Sequence, residues 1–225
     1  MAEQNTRVVL AARPTGVPER AHFAVDSVPV PDPGPGQFVV RAEVWSADPA
    51  QRGWALDVPN YLPPVEIGAP MRGFSAGRVI ASRHPDYPEG ARVSGMFGWQ
   101  THALSDGSEA DGIFGFDDLP LSYALGMLGL NGLTAWVGLT RVLRMRSGET
   151  VTVSTAAGAV GSAVGQLAQA RGVRAVGIAG GPEKCARAAT EFGYAACVDY
   201  RAADFADALA AALPDGTDGY FDNTS

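Results

Sequence analysis

The sequence predicts an α/β chain in two parts: a strand-rich, irregular barrel or sandwich, followed by a doubly wound parallel sheet. Three features carry that expectation. Over roughly the first 120 residues, short β-branched or aromatic segments are split by proline and glycine. From Glu149 onward, strand patterns alternate with helical patterns about ten residues long. Between the first of those strands and the first of those helices lies a glycine-bearing hexamer, Ala156 to Gly161.

The elements follow in order. Gln37–Trp45 (QFVVRAEVW), Gly77–Ala81 (GRVIA) and Ala91–Phe97 (ARVSGMF) read as strands, and Pro31–Pro35 and the Pro63–Pro64 pair mark loops. After Asp117–Pro120 the texture changes. Leu119–Arg144 reads as two helical pieces with Gly126, Gly129 and Gly132 between them. Thr150–Thr155 then reads as a strand, Val160–Arg171 as a helix and Arg174–Ile178 as a strand. Pro182–Glu191 is a helix opened by proline. Ala195–Asp199 is a third strand, Ala203–Ala212 a third helix and Gly219–Asp222 a fourth strand. The expected division is residues 1–125 and residues 126–225.

Composition narrows the function. The chain has 225 residues, 46% hydrophobic and 18% charged, with 28 glycines and 16 prolines and no collagen-like period. Such a chain buries a sizeable core, and disordered, coiled-coil and fibrous classes are excluded. Seventeen basic against 24 acidic residues give a net charge of −7, so the basic footprint of a nucleic-acid binder is missing. Residues 119–140 and 150–170 carry no charge, but their glycines, hydroxyls, Pro120 and Asn131 suit buried soluble elements better than membrane spans. The amino terminus has no apolar core of signal-peptide length, and a cytoplasmic location is expected. Cys185 and Cys197 form neither a CxxC pair nor a disulfide framework. His22, His84 and His102 are isolated, so no metal site is expected. A G-x-S-x-G nucleophile elbow is absent.

Ala156-Ala157-Gly158-Ala159-Val160-Gly161 is G-x-G-x-x-G with alanine in the first position, with a strand before it and a helix after it. Gly158 lets backbone N–H groups approach a pyrophosphate, and Gly161 lets the helix pack closely on the strand. A glycine-packed helix start with no ligand is the competing reading. An NAD site carries a carboxylate about 20 residues on, at the end of the second strand. Here that strand ends in Ala179-Gly180-Gly181, with Lys184 just beyond. A small-residue tip with a cation nearby suits a 2′-phosphate, so NADP(H) is favoured over NAD(H).

At this point the residues resemble a known family. The zinc-free medium-chain dehydrogenase/reductases combine a strand-rich first domain with a dinucleotide fold. Within them, the prostaglandin reductase/leukotriene B4 12-hydroxydehydrogenase group, with bacterial curcumin reductase and plant double-bond reductases, is the nearest match. The resemblance rests on Asp48–Gly53 (DPAQRG), Tyr61–Pro64 (YLPP), Gly95–Gln100 (GMFGWQ) and Gly126–Ala135 (GMLGLNGLTA). It continues through Ala156–Leu167 (AAGAVGSAVGQL), Glu183–Cys185 (EKC), Asp199–Tyr200 (DY) and Phe221–Asn223 (FDN), in family order and spacing. Asn131 and Gln51 depart from common family residues, which bears on substrate fit.

The resemblance implies a GroES-like substrate and catalytic domain over 1–125 and a Rossmann NADP-binding domain over 126–225. It implies NADP(H) contacts from Gly158, Ala159, Val160 and Gly161, from Gly180 and Lys184, and from Tyr200 and Asn223. Tyr61, Gly95 and Met96 match the amino-terminal wall of the substrate cleft. Tyr61 is either a hydroxyl donor to an enone carbonyl as charge develops there or an aromatic packed beside Pro63 and Pro64. The implied activity is NADPH-dependent reduction of the C=C bond of α,β-unsaturated ketones and aldehydes. A quinone reductase and a non-catalytic NADP-binding fragment remain alternatives. The sequence itself does not give the oligomeric state; the resemblance admits a homodimer, since relatives commonly dimerise through their dinucleotide domains. Four of about six strands of the full sheet are recognisable, so the second domain is expected to be incomplete.

Overall fold

The computed structural model describes residues 3–58 and 60–224. The chain divides into two compact units, Met1–Leu125 and Gly126–Ser225.

In the first unit, β1 (Gln4–Leu10) pairs antiparallel with β2 (Phe23–Pro29). Arg7 and Asp26 stand directly opposite in that ladder and form a two-pronged ion pair, Nε to Oδ1 at 2.8 Å and Nη2 to Oδ2 at 2.5 Å. A second, five-stranded antiparallel sheet has the order β6-β3-β4-β5-β7. Its strands are β3 (Phe38–Trp45), β4 (Ser75–Ser82), β5 (Arg92–Gly95), β6 (His102–Ser105) and β7 (Ala110–Ile113). β3 and β4 slip register at Val39/Val40 and again at Ala42/Val44, which bends the sheet as bulges do. Phe38, Val40, Val79 and Val93 close one core under this sheet. Leu10, Trp54, Val65 and Met71 close another beside the short helix α1 (Pro49–Ala55). Burying each such side chain contributes about 1.5–3 kcal/mol.

Two of the buried polar residues of this unit fasten its loops. Gln51 is buried because it completes the start of α1: its Oε1 accepts the Asp48 N–H at 3.2 Å, and its Nε2 donates to the Ser46 carbonyl at 2.8 Å. Arg92 is also buried, and its guanidinium donates to the carbonyls of Phe116 and Leu119, each at 2.7 Å. That fastens the segment after β7 to the sheet.

In the second unit, α2 (Leu130–Val137) runs into a π-helical turn, Gly138–Val142. Gly132 lies inside α2 instead of between helical pieces, because its missing side chain leaves room for the Met127 carbonyl. The alternating segment follows: β8 (Thr150–Val153), α3 (Ala159–Ala170), β9 (Arg174–Ala179), α4 (Pro182–Glu191), β10 (Ala196–Asp199), α5 (Phe205–Ala212) and β11 (Gly219–Phe221). The four strands form one parallel sheet of order β10-β9-β8-β11. β8 is central, and Val151 and Val153 are fully buried with Val164 and Ala168 of α3. β8 ends at Val153, two residues before the expected strand end at Thr155. Among the described residues, no helix is long and apolar enough to cross a membrane.

Asp111 on β7 offers a pH test of the first unit. Asp111 is exposed, yet partial desolvation beside the sheet pushes its carboxyl above the ordinary range, although the Ser94 hydroxyl donates to it at 3.2 Å. A raised folded-state value means the native protein holds the proton more tightly than the unfolded chain. The ionised group therefore costs stability at neutral pH, and that cost disappears as pH falls through the folded value. Asp111→Asn keeps an oxygen acceptor for Ser94 and is expected to raise the melting temperature at pH 7 by about 1–3 °C. The gain should shrink as the pH is lowered toward 4, as read by melting curves across pH. A lower melting temperature at pH 7 would contradict the desolvation argument.

Candidate dinucleotide site

The carboxyl ends of the four parallel strands meet at a cavity of about 480 Å³. Doubly wound sheets bind ligands at this edge. Ser154 and Thr155 follow β8, Ile178, Ala179 and Gly180 end β9, Tyr200 follows β10, and Tyr220 and Thr224 come from β11 and beyond. Ala157 and Gly158 supply the loop, Lys184 comes from α4 and Phe205 from α5.

Gly158 caps α3 with extended backbone, and its carbonyl accepts the Ser162 N–H at 2.8 Å as the first bond of the helix. The N–H groups of the opening turn, at Ala159, Val160 and Gly161, thus precede the first helical bond and belong to the electropositive end of α3. Gly161 shows why the loop takes this form. A Cβ there would collide with the Thr155 carbonyl and the Ala156 backbone, so only glycine lets α3 begin this close to β8. Ala156, in the first motif position, is fully buried and donates its N–H to the Ile178 carbonyl at 3.0 Å.

The tip of β9 is shaped by glycine and held by a carboxylate. Gly181 has φ 95° and ψ 151°, a conformation that essentially only glycine adopts. Asp199 Oδ1, at the end of β10, accepts the N–H of Gly181 at 2.8 Å and of Arg201 at 3.0 Å. These two bonds hold the Asp199 carboxyl below the usual carboxylate range. Tyr200 lies against Gly180, where a Cβ would stand 2.9 Å from the ring. The Arg201 guanidinium covers the other part of that ring, 5.5 Å from its centroid.

Of the residues expected at a cofactor, Gly158, Gly180, Lys184 and Tyr200 line the cavity together. Ala159, Val160, Gly161 and Asn223 do not line it. Asn223 is engaged from below: its backbone N–H donates to Ser154 Oγ at 2.7 Å and its amide to the Ser154 carbonyl at 2.9 Å. Ser154 Oγ in turn donates to Asp222 at 2.7 Å. Sequence reading placed Ser154 only within a strand and Asp199 only within a family match, and missed the bonds they make across the strand ends. It also missed the turn at Thr155, where φ is 50°.

The residues expected on the substrate side lie in the first unit. Tyr61 is 73% exposed, with its ring edge-on to Trp54 at 6.2 Å. Gly95 is buried at a bulge in β5, where a Cβ would meet the Glu109 carbonyl and Ala110. Met96 packs against the core around Trp54 and Met71. A shallow groove of about 350 Å³ in the same unit is lined by Thr6, Val8, Trp45–Ala47 and Trp99–Thr101. Tyr61, Gly95 and Met96 are outside its lining, and the sequence reading did not single out the groove.

A parallel sheet of this order with a glycine-shaped loop at its central strand defines the Rossmann class of α/β proteins. Comparison with known proteins agrees. A family model described as "N-terminal domain of oxidoreductase" matches residues 6–113, and one described as "Zinc-binding dehydrogenase" matches residues 159–225. The chain is 42% identical over 221 residues to the NADPH-dependent curcumin reductase of Escherichia coli (strain K12), covering 98% of this chain and 64% of that protein. It is 35% identical over 231 residues to a 2-alkenal reductase (NADP(+)-dependent) of Nicotiana tabacum, covering 99% of this chain and 67% of that one. The crystal structure of CurA from Vibrio vulnificus in complex with NADPH superposes with a TM-score of 0.88 at 40% identity, covering 98% of this chain and 65% of that one. The chain belongs to the medium-chain dehydrogenase/reductase superfamily. It spans 64% of the length of the curcumin reductase it matches.

Gly161→Ala tests the close approach. The added methyl must push α3 away from the Thr155 carbonyl. The expected result is a loss of stability of about 1–3 kcal/mol with weakened nucleotide binding, measured by denaturant unfolding and NADPH fluorescence titration.

Proposed function

We propose that this chain is the NADPH-binding and substrate-facing part of a reductase of α,β-unsaturated ketones and aldehydes. The observation that carries the reading is the cavity at the four strand ends. It joins the loop residues Ala157 and Gly158, which lead into α3, to a β9 tip of small residues, with Lys184 at its wall. The cofactor fits what is present. Gly158 lies in the cavity lining at the amino end of α3, Gly161 lets that helix begin close to β8, Gly180 and Lys184 suit a 2′-phosphate, and Tyr200 offers a ring and hydroxyl beside them. The names of the similar curcumin and alkenal reductases support the same cofactor and substrate class.

NADPH supplies the hydride, which an enone accepts at its β-carbon because its carbonyl withdraws electrons. The chain's own part is to bind, orient and stabilise charge. The α3 amino terminus holds negative phosphate, and Lys184 selects the 2′-phosphate. Tyr61 donates its exposed hydroxyl to the carbonyl oxygen as enolate charge develops, and Gly95 and Met96 shape the substrate wall. Protonation at the α-carbon then completes the reduction.

The reading is zinc-free. Among the described residues no three His, Cys, Asp or Glu side chains converge as a metal group. His22 Nδ1 accepts the Glu19 N–H, and His84 Nδ1 accepts the Asp86 N–H. Both cysteines lie on the dinucleotide-binding unit, where burial and the neighbouring Cys185 push the Cys197 thiol up and keep it protonated.

Lys184→Ala is expected to weaken NADPH binding by roughly tenfold or more while changing NADH binding less than about twofold. Fluorescence titration with both nucleotides measures this, and equal losses would remove the 2′-phosphate assignment. Tyr61→Phe is expected to lower the rate of NADPH oxidation with 3-nonen-2-one by about 10–100-fold at unchanged NADPH affinity. A tyrosine that serves only as packing would leave that rate intact. A quinone assayed at equal NADPH separates the two acceptor classes.

A further inference from the structure

Thr155 carries a backbone that its side chain does not favour. Its φ is 50°, the left-handed region, where a β-branched residue is an outlier. Glycine or asparagine would take this geometry more easily. Among the described residues Arg144, at φ 56°, is the other non-glycine residue with positive φ, and it lies outside the cavity lining.

The neighbours over-determine the turn. On one side, Ser154 is pinned across the sheet: its N–H donates to the Phe221 carbonyl at 3.1 Å, and its side chain and carbonyl hold Asp222 and Asn223. On the other, Ala156 is fully buried and donates to Ile178. Thr155 must connect two residues fixed to opposite neighbours of β8, and it does so exposed at the cavity wall.

Thr155 touches both glycines of the loop. Its carbonyl accepts the Gly158 N–H at 2.8 Å, and the same carbonyl fills the space a side chain on Gly161 would need. Its methyl lies 2.7 Å from where a Cβ on Gly158 would stand. Such strain persists where the surrounding structure enforces it, and it clusters at ligand clamps.

We propose that Thr155 is a positioning residue: its strained left-handed turn holds the Gly158–Gly161 loop in the one shape that aims its N–H groups at a dinucleotide pyrophosphate. The inference rests on the dinucleotide reading and adds to it the device that preorganises the cradle. The carbonyl fixes where the loop turns, and the methyl limits the alternatives open to Gly158. Stability is lower than it would be with glycine at this position, and binding is tighter because the loop does not have to be ordered by the ligand.

Thr155→Gly and Thr155→Asn test this in the full 225-residue chain. The glycine variant is expected to melt a few degrees higher and to exchange the backbone amides of residues 154–165 several-fold faster. It should bind NADPH about 3–10-fold more weakly. The asparagine variant keeps a side chain that tolerates the turn and is expected to restore exchange protection and affinity. A structural role alone would move melting and affinity in the same direction. The proposal is overturned if Thr155→Gly melts lower, leaves the amide exchange unchanged, or binds NADPH as tightly as the parent. Failure of the parent chain to bind NADPH overturns the cofactor reading itself, and melting with exchange still decides whether Thr155 holds the loop.

Discussion

The distance between α3 and the sheet governs everything at the carboxyl edge of the second unit. That distance is set where Gly161 passes beneath the carbonyl of Thr155, and again one turn later at Gly165, which lies against the Phe192 carbonyl and the Tyr194 ring. Tyr194 closes the arrangement by donating its hydroxyl to the Gly161 carbonyl at 2.6 Å. Burial pushes the Tyr194 phenol far above its ordinary range, so this donor is protonated at any pH the protein meets. With the helix held this close, its first N–H groups fall at the strand ends. A helix displaced by one methyl would present the same groups to empty space.

The strand ends are fixed by polar residues that face inward. Asp199 receives two backbone N–H groups at the tip of β9, and Ser154 gathers Asp222 and Asn223 at the tip of β8. Both clusters consume charge or hydrogen-bonding capacity that would otherwise face a ligand. The effect is electrostatic as well as mechanical. In a chain of net charge −7, a free carboxylate at Asp199 would repel a phosphate, whereas one bonded to two N–H groups is partly neutralised. Lys184 and the Gly180–Gly181 tip then set the local character of the cavity wall.

Much of this fold was legible because local and long-range preferences agree. Pro182 opens a helix and its limits follow from the pattern, so α4 spans Pro182–Glu191 as read from the sequence. The parallel order of the sheet followed from alternation alone. Thr155 was read as the end of a strand because Thr-Val-Thr-Val-Ser-Thr is a continuous β pattern. The left-handed turn there is imposed by Ser154 and Ala156 being fixed to opposite neighbours, a tertiary constraint with no local sign. Gly132 misled for the converse reason: glycine usually interrupts a helix, yet here it admits the Met127 carbonyl. At the cavity, Gly158 was legible because the glycine motif demands it, and Lys184 because it follows the small-residue tip of β9. The engagement of Asn223 by Ser154 was not, since the two are 69 residues apart and meet only when β11 adds to β8.

The chemical character of the cavity divides the labour of the molecule. Its lining holds hydroxyls, a lysine, aromatic rings and small residues, but no carboxylate and no imidazole. General acid–base work at neutral pH is usually given to such groups, so this wall is suited to binding and orientation. On the proposed reading, hydride transfer would ask for little more from it, because the reactive atom belongs to the nucleotide and needs placement. What an enone additionally requires is a hydrogen-bond donor for the oxygen on which charge accumulates. The proposed reading assigns the cavity wall to the nucleotide and therefore assigns that donor to the substrate side. Of the residues that reading assigns there, Tyr61 is exposed and carries a hydroxyl, while Gly95 and Met96 carry none.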